Sequence, residues 1–276
     1  MKKNLLIPLV VLMVSCSTKE FTFVQMTDTQ IGFMDRSENF IHSDTLMRKA
    51  VEAVNALRPE AVIITGDLIN TPGNAMENEI FERNLALIEA PVHYIPGNHD
   101  IMGYTEEKHD DYLALREYDR FSFTLHKCAF IGFDTNCICD GATEAEAQQY
   151  EWLKGELEKA SGSRHIFLFM HCPVVRESMD EAEDYFNFSM PMREKYISLF
   201  KEYGVDAAFA GHTHCQYSTE IEGIKFYTAA AVGNCLGHGF PGYHTVHVTK
   251  GGVDVEYTPT PGVNWSSPSR PPLPPK

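Results

Sequence analysis

Five short apolar runs, each halted by residues that can bind a proton or a metal ion, constrain this chain more than any other feature. Residues 21–27 run into Asp28-Thr29-Gln30, and 61–65 into Gly66-Asp67. Residues 92–95 lead through Pro96 into Gly97-Asn98-His99-Asp100, 166–170 into His171, and 207–210 into Gly211-His212-Thr213-His214. Runs this short, ended by a turn, are the pattern of strands buried on both faces. Between them, 43–57 carries helical spacing (Leu46, Ala50, Val54, Leu57), with Pro59 beyond its end. Further helices are predicted over 77–89, 105–118 and 143–160, and from Pro191 onward. Residues 121–126 and 128–134 read as a strand pair. After Gln216 the pattern turns to β-ribbons at 217–221, 225–230, 245–249 and 253–257. Strands alternating with helices, then a run of strands, predict an α/β fold with a mixed sheet layered by helices. No composition break divides residues 21–258, so they form one domain, large enough for a full core.

The strand ends carry the chemistry. In open α/β sheets ligands gather at the carboxyl ends of strands, so these Asp, Asn, Gln and His side chains should meet at one edge. Converging carboxylates repel one another unless cations sit between them. Oxygen and imidazole donors suit Mn, Fe, Zn or a similar divalent ion, not a thiolate-seeking one. A single Gly-Asp is usually a turn and a single histidine usually a core residue. All five pieces in order, each closing a strand, point to a metal site.

These elements resemble the calcineurin-like metallophosphoesterase superfamily over nearly all of 21–258. Within it they are most similar to the calcineurin-like phosphoesterase-domain-containing group, which is serine/threonine phosphatase-like. The closer likeness rests on Asp28-Thr29-Gln30-Ile31-Gly32, 97–101, 177–188 and 230–237. The resemblance implies two mixed β-sheets packed as a sandwich flanked by helices, with a dinuclear metal site at the strand C-terminal ends. It implies two divalent transition metal ions, Mn, Fe or Zn. One would be held by Asp28, Gln30, Asp67 and His214, the other by Asp67, Asn98, His171 and His212. Gln30 stands where the superfamily usually has histidine, and its neutral carboxamide is the weaker ligand. The implied reaction is in-line attack on phosphorus by a hydroxide shared between the ions. Asn98 would also donate to the phosphate, His99 would act as general acid, and Asp100 would fix the His99 tautomer.

Other classes fit less well. With 23 Lys and Arg against 38 Asp and Glu, the net charge of −15 argues against a nucleic-acid partner. Cys172 followed by Arg176 lacks the six-residue spacing and glycine of a cysteine-phosphatase cradle, and Pro173 removes a donor. No Gly-x-Ser-x-Gly elbow occurs. The first reading is therefore a phosphomonoesterase acting on a small-molecule or peptide phosphoester. Its rivals are a nucleotide or nucleotide-sugar diphosphatase and, from another class, a lipid-anchored binding protein with a degenerate metal centre. The acidic stretch Glu177, Asp180, Glu181, Glu183 and Asp184, with Tyr185, Phe186 and Phe188 beside it, is either a solvated face or the mouth of the site. His238 and His244 flank 239–242 and are candidates to overhang it.

The chain opens with Lys2 and Lys3, an apolar stretch at 5–14, then Ser15-Cys16. About ten apolar residues are too few to span a ~30 Å hydrocarbon core, so this reads as an export signal. Ser15-Cys16 at its end resembles a bacterial lipobox, which implies cleavage before Cys16 and acylation of its thiol. The expected segments are a lipoprotein-type signal peptide at 1–15, a tether at 16–20, the domain at 21–258 and a Pro-rich tail at 259–276. The expected location is the bacterial cell envelope, periplasmic or surface side, with the membrane touched only through the lipid anchor. The remaining cysteines, Cys128, Cys137, Cys139, Cys172, Cys215 and Cys235, show no Cys-x-x-Cys spacing and read mostly as buried free thiols.

Overall fold

Two mixed sheets lie face to face with helices over their outer faces, in a computed structural model that describes residues 19–265. Cys16 with the rest of 1–18, and tail residues 266–276, lie outside the described residues. The first half runs β1 (Phe21–Met26), α1 (Ile41–Leu57), β2 (Val62–Thr65), α2 (Ala75–Leu85), β3 (Val92–Ile95), α3 (Asn98–Ile101) and α4 (Glu106–Arg116). The second runs β4 (Phe121–Leu125), β5 (Cys128–Gly132), α5 (Asn136–Cys139), α6 (Thr143–Lys159), β6 (His165–Phe169), α7 (Met190–Glu202) and β7 (Ala207–Ala210). Four ribbons close the fold: β8 (Tyr217–Ile221), β9 (Ile224–Thr228), β10 (Gly242–Thr249) and β11 (Gly252–Pro259).

Sheet one has the order β11-β10-β1-β2-β3, and sheet two β4-β5-β6-β7-β9-β8. Within sheet one β1, β2 and β3 are parallel, and within sheet two β5, β6, β7 and β9 are parallel. The antiparallel pairings fall outside these parallel centres. Parallel centres align the strand ends, which is what lets residues far apart in sequence share one edge.

Alternation along each strand builds the layers. In β6, Phe167 and Phe169 face sheet one while Ile166 and Leu168 face the helical layer. Phe23 sits in the middle of the inter-sheet layer, edge-on to Phe130 (5.0 Å between centroids), Phe209 (5.6 Å) and Phe169 (5.8 Å). Edge-to-face pairs of this kind contribute about 0.5–1.5 kcal/mol each beyond area burial.

Several expected boundaries move for local reasons. Helix α2 starts earlier than 77 because the Asn74 side chain accepts from Met76 N and Glu77 N. Strand β3, expected to be buried on both faces, is half-exposed along most of its length because it forms an edge of sheet one. Residues 260–265 pack back onto the domain: Gly262 O accepts from Lys49, and the Trp265 ring stacks on His42. The six described cysteines are free thiols, and Cys139 is exposed.

The acidic stretch 177–188 is partly turned inward. The Glu181 carboxylate accepts from the backbone of Arg176 (3.0 Å) and Glu177 (2.7 Å) and from the Asn187 amide (2.7 Å). Arg193 on α7, 0% exposed, donates to the carbonyls of Phe188 (2.8 Å), Met179 (2.9 Å), Glu181 (2.7 Å) and Ala182 (3.4 Å). One guanidinium thereby fixes the whole loop to the helix. Arg193→Met is expected to lower the unfolding free energy by about 3 kcal/mol, because buried carbonyls keep no donor. Urea denaturation measures this, and a loss under about 1 kcal/mol would mean that the carbonyls find other donors.

Candidate active site and metal centre

Five of the seven expected ligands sit in left-handed backbone: Asp28 (φ 49°), Gln30 (φ 35°), Asp67 (φ 50°), His212 (φ 69°) and His214 (φ 53°). Such a conformation costs an L-residue about 1–2 kcal/mol, and it concentrates where function over-determines the backbone. Here it breaks each strand sharply and delivers a side chain at the strand end. The turns approach so closely that a Cβ on Gly97 would strike Asp67, and one on Gly211 would strike Thr27 and Asp28. Both positions therefore require glycine.

The side chains form two overlapping groups. Asp67, His171 and His212 each offer a ligand atom within 4.8 Å of the others, and so do Asp28, Asp67 and His214. Asp67 belongs to both. Its Oδ1 accepts from His99 N (2.8 Å) and lies 3.3 Å from His171 Nε2. Asp28 Oδ2 accepts from Thr27 Oγ1 (2.6 Å) and His212 N (2.9 Å). Asp28 Oδ1, 3.2 Å from His214 Nε2, accepts no hydrogen bond among the described residues. The Asn98 carboxamide joins the first group, with Oδ1 3.0 Å from His171 Nε2. Gln30 is 1% exposed, yet neither atom of its amide finds a partner among the described residues. A buried amide left unpaired costs about 1–3 kcal/mol, so its burial here fits a ligand. Oxygen and imidazole donors in this number fit hard or borderline divalent metal ions.

Each imidazole is aimed by a backbone carbonyl. His171 Nδ1 donates to Thr65 O (2.8 Å) and His214 Nδ1 to Asn234 O (2.6 Å), which leaves Nε2 of both for a ligand role. His212 is turned the other way: Nε2 donates to Tyr185 O (2.9 Å), leaving Nδ1. A carbonyl only accepts, so each contact fixes the tautomer as well as the ring plane. These acceptors were silent in the sequence, because any residue supplies a carbonyl.

The charges favour cations. Burial opposes a charge on His171, but Asp67 beside it lifts the imidazole to about 10. Burial also opposes a charge on His214, which Asp28 nevertheless raises. Burial and the neighbouring His171 push His212 down to about 4. The negative field that holds protons on His171 and His214 favours a divalent ion in the same place.

Asp100 does not orient His99. Its carboxylate accepts from Gly97 N (2.7 Å), Leu68 N (3.1 Å) and Ile69 N (3.2 Å), which ties the turn carrying Asp67 to the turn carrying Asn98. Burial and the nearby Asp67 raise it to about 6. The His99 ring is held instead by Asn70 O, 3.0 Å from Nδ1, with Phe33 edge-on at 6.1 Å. Tyr185 is closer to the centre than expected: its hydroxyl accepts from Asn98 Nδ2 at 2.8 Å. Phe186 and Phe188 are buried and offer no stacking face. His244 is buried as well, bonded to Gln25 (2.8 Å), and burial lowers it to about 4, so it does not overhang the site. His238 is exposed. A cavity of about 620 Å³ opens beside Asn98, His171 and His212, walled by α5 and the 183–189 stretch.

The sequence model of the calcineurin-like phosphoesterase family matches residues 21–216. The "Serine/threonine-protein phosphatase CPPED1" of Danio rerio is 29% identical over 265 residues, covering 86% of this chain and 84% of that protein. The "Probable glycerophosphodiester phosphodiesterase GpdQ" of Arcobacter nitrofigilis is 26% identical over 214 residues, covering 75% of this chain and 77% of that protein. Among solved structures, a dimetal phosphatase from Danio rerio superposes with a TM-score of 0.62 at 17% identity, over 82% of this chain and 92% of that one. A purple acid phosphatase from yellow lupin superposes with a TM-score of 0.66 at 16% identity, over 91% of this chain and 53% of that one. These two likenesses bear on the fold alone. Family match and site chemistry agree, and the chain belongs to the calcineurin-like phosphoesterase family, a metallophosphoesterase hydrolase.

Proposed function

We propose that the protein is a metal-dependent phosphomonoesterase with His99 as general acid. The observation that carries this is the pairing of two overlapping ligand groups on Asp67 with an adjacent histidine outside both groups. Asp28, Gln30, Asp67 and His214 would hold one divalent ion, and Asp67, Asn98, His171 and His212 the other. When bound, such ions supply Lewis-acid charge against the phosphoryl oxygens and acidify a water. Asn98 is placed to donate an amide N–H to the phosphate, as it donates to the Tyr185 hydroxyl here. With Nδ1 committed to Asn70 O, His99 delivers its proton from Nε2. A monoester has a single organic arm, which the cavity beside Asn98 can take. The rival read from the sequence, a nucleotide or nucleotide-sugar diphosphatase, would need room for a second phosphate; a phosphodiesterase reading, supported by the phosphodiesterase relative, would need room for a second arm.

The two ion sites are expected to differ in strength. Gln30 brings a neutral amide to one of them, so chelation should remove that ion first, and Gln30→Ala should lower the metal content by about one equivalent. Asp67→Ala, which removes the shared carboxylate, should lose both. Elemental analysis after dialysis reads each outcome. Ion uptake displaces the proton from His171, so affinity is expected to rise with pH, with protons released on titration with manganese. Uptake without proton release would contradict this ligand assignment.

His99→Ala is expected to keep the metal content and lower turnover of alkyl monoesters by about 10²–10⁴-fold. Activated aryl esters, whose leaving groups need no proton, should lose far less. An equal loss on both would make His99 a positioning group. Run with manganese on monoesters, diesters and nucleoside diphosphates, the same assay tests the ester class. A diphosphate preferred over every monoester by about tenfold in kcat/KM, or about 1.4 kcal/mol, would overturn the monoester reading.

We also propose export and acylation at Cys16, on the strength of Lys2, Lys3, the apolar stretch and Ser15-Cys16. Cys16→Ala should abolish lipid labelling and recovery with membranes. Unchanged labelling would rule the lipobox out.

A further inference from the structure

The cavity beside Asn98 has a one-sided charge. Asp140, at the end of α5, and Glu183 and Asp184, of the 177–188 loop, all line it. Among the described residues no Lys or Arg lines it. Arg176 pairs with Asp184 at 3.0 Å but is not part of the wall. Asp140 and Glu183 are exposed, and Asp140 accepts a backbone N–H from Tyr104 at 2.7 Å. Tyr185 lines the same cavity, 40% exposed, its hydroxyl held by Asn98. An aromatic face flanked by carboxylates is an attractive surface for a cation, and most of all for a weakly hydrated one. The phosphoryl end of a substrate is drawn to the metal centre, while the other end meets negative walls, so the field of the site reverses sign across one small molecule.

We infer that this cavity selects phosphoesters whose alcohol carries a positive charge, an ammonium or quaternary amine on a short arm, and disfavours those with anionic or polyphosphate leaving groups. The chemistry rests on the phosphoesterase reading above, and the selectivity on the cavity walls. A volume of about 620 Å³ suits a small molecule. A quaternary amine would rest its methyl groups on the Tyr185 ring with Asp140 and Glu183 around it.

The test compares two esters of one shape, phosphocholine and 3,3-dimethylbutyl phosphate, in which carbon replaces the charged nitrogen. Assayed with manganese at low ionic strength, the choline ester is expected to show a kcat/KM about tenfold higher, chiefly through KM. Added salt should narrow the gap, because exposed charges are screened. In the double variant Asp140→Asn, Glu183→Gln the gap should fall to about twofold or less, while turnover of an aryl phosphate with an uncharged leaving group stays unchanged. Equal rates for the two isosteres, or a gap that survives in the double variant, would overturn the inference. If the aryl phosphate is hydrolysed and the isosteres are alike, only the charge selectivity fails. If no monoester is hydrolysed, the monoester reading fails, and the same isosteric pair as methyl phosphodiesters decides the charge selectivity in the same way.

Discussion

Everything at the site turns on one buried carboxylate that two groups of candidate metal ligands share. Asp67 is 1% exposed, faces His171 at 3.3 Å and accepts from the His99 backbone N–H at 2.8 Å. Removing such a group from water is tolerable only where opposite charge surrounds it. Three histidines and two amides are arranged accordingly, while the second carboxylate, Asp28, adds to the negative charge that a divalent ion would offset. The left-handed turns, the close glycines and the Asp100 brace serve to hold strand ends from two different sheets around this one anion. Asp28, Gln30, Asp67 and Asn98 come from sheet one, and His171, His212 and His214 from sheet two. An ion bound there also joins the sheets, so ion binding and folding stability are linked.

The strand ends were legible because two signals coincide there: a short apolar run and a turn residue with a titratable or amide neighbour. That placed Asp28, Asp67, His171, His212 and His214 together before any geometry, along with Asn98 and Gln30. The helices α1 and α6 were legible from their periodicity. The one-turn helices α3 and α5 were not, since four residues carry no period. The partition of strands between sheets was equally hidden, because an apolar run does not name its neighbour.

The errors have a common cause. Asp100 was assigned to His99 by adjacency, but a one-turn helix points consecutive side chains apart, and Asp100 faces back toward Gly97 and Leu68. The acidic stretch read as either a solvated face or the mouth of the site; Glu183 and Asp184 do line the cavity, while Glu181 is turned inward onto the backbone of Arg176 and the Asn187 amide. His244 read as a loop residue, whereas β10 begins earlier and buries it against Gln25. In each case a tertiary partner decided the side chain's direction.

The carbonyls of Thr65, Asn70, Tyr185 and Asn234 carry a further consequence. They aim four imidazoles, and none is altered when the residue's side chain is replaced. A mutational scan of this protein would mark the histidines and pass over the groups that orient them. Asn70, whose side chain reaches only Thr71 Oγ1 among the described residues, would look tolerant until a proline or an insertion displaced the peptide unit itself. Sequence drift at Asn70 is thus compatible with an unchanged centre, while a shift of chain path by an ångström is not.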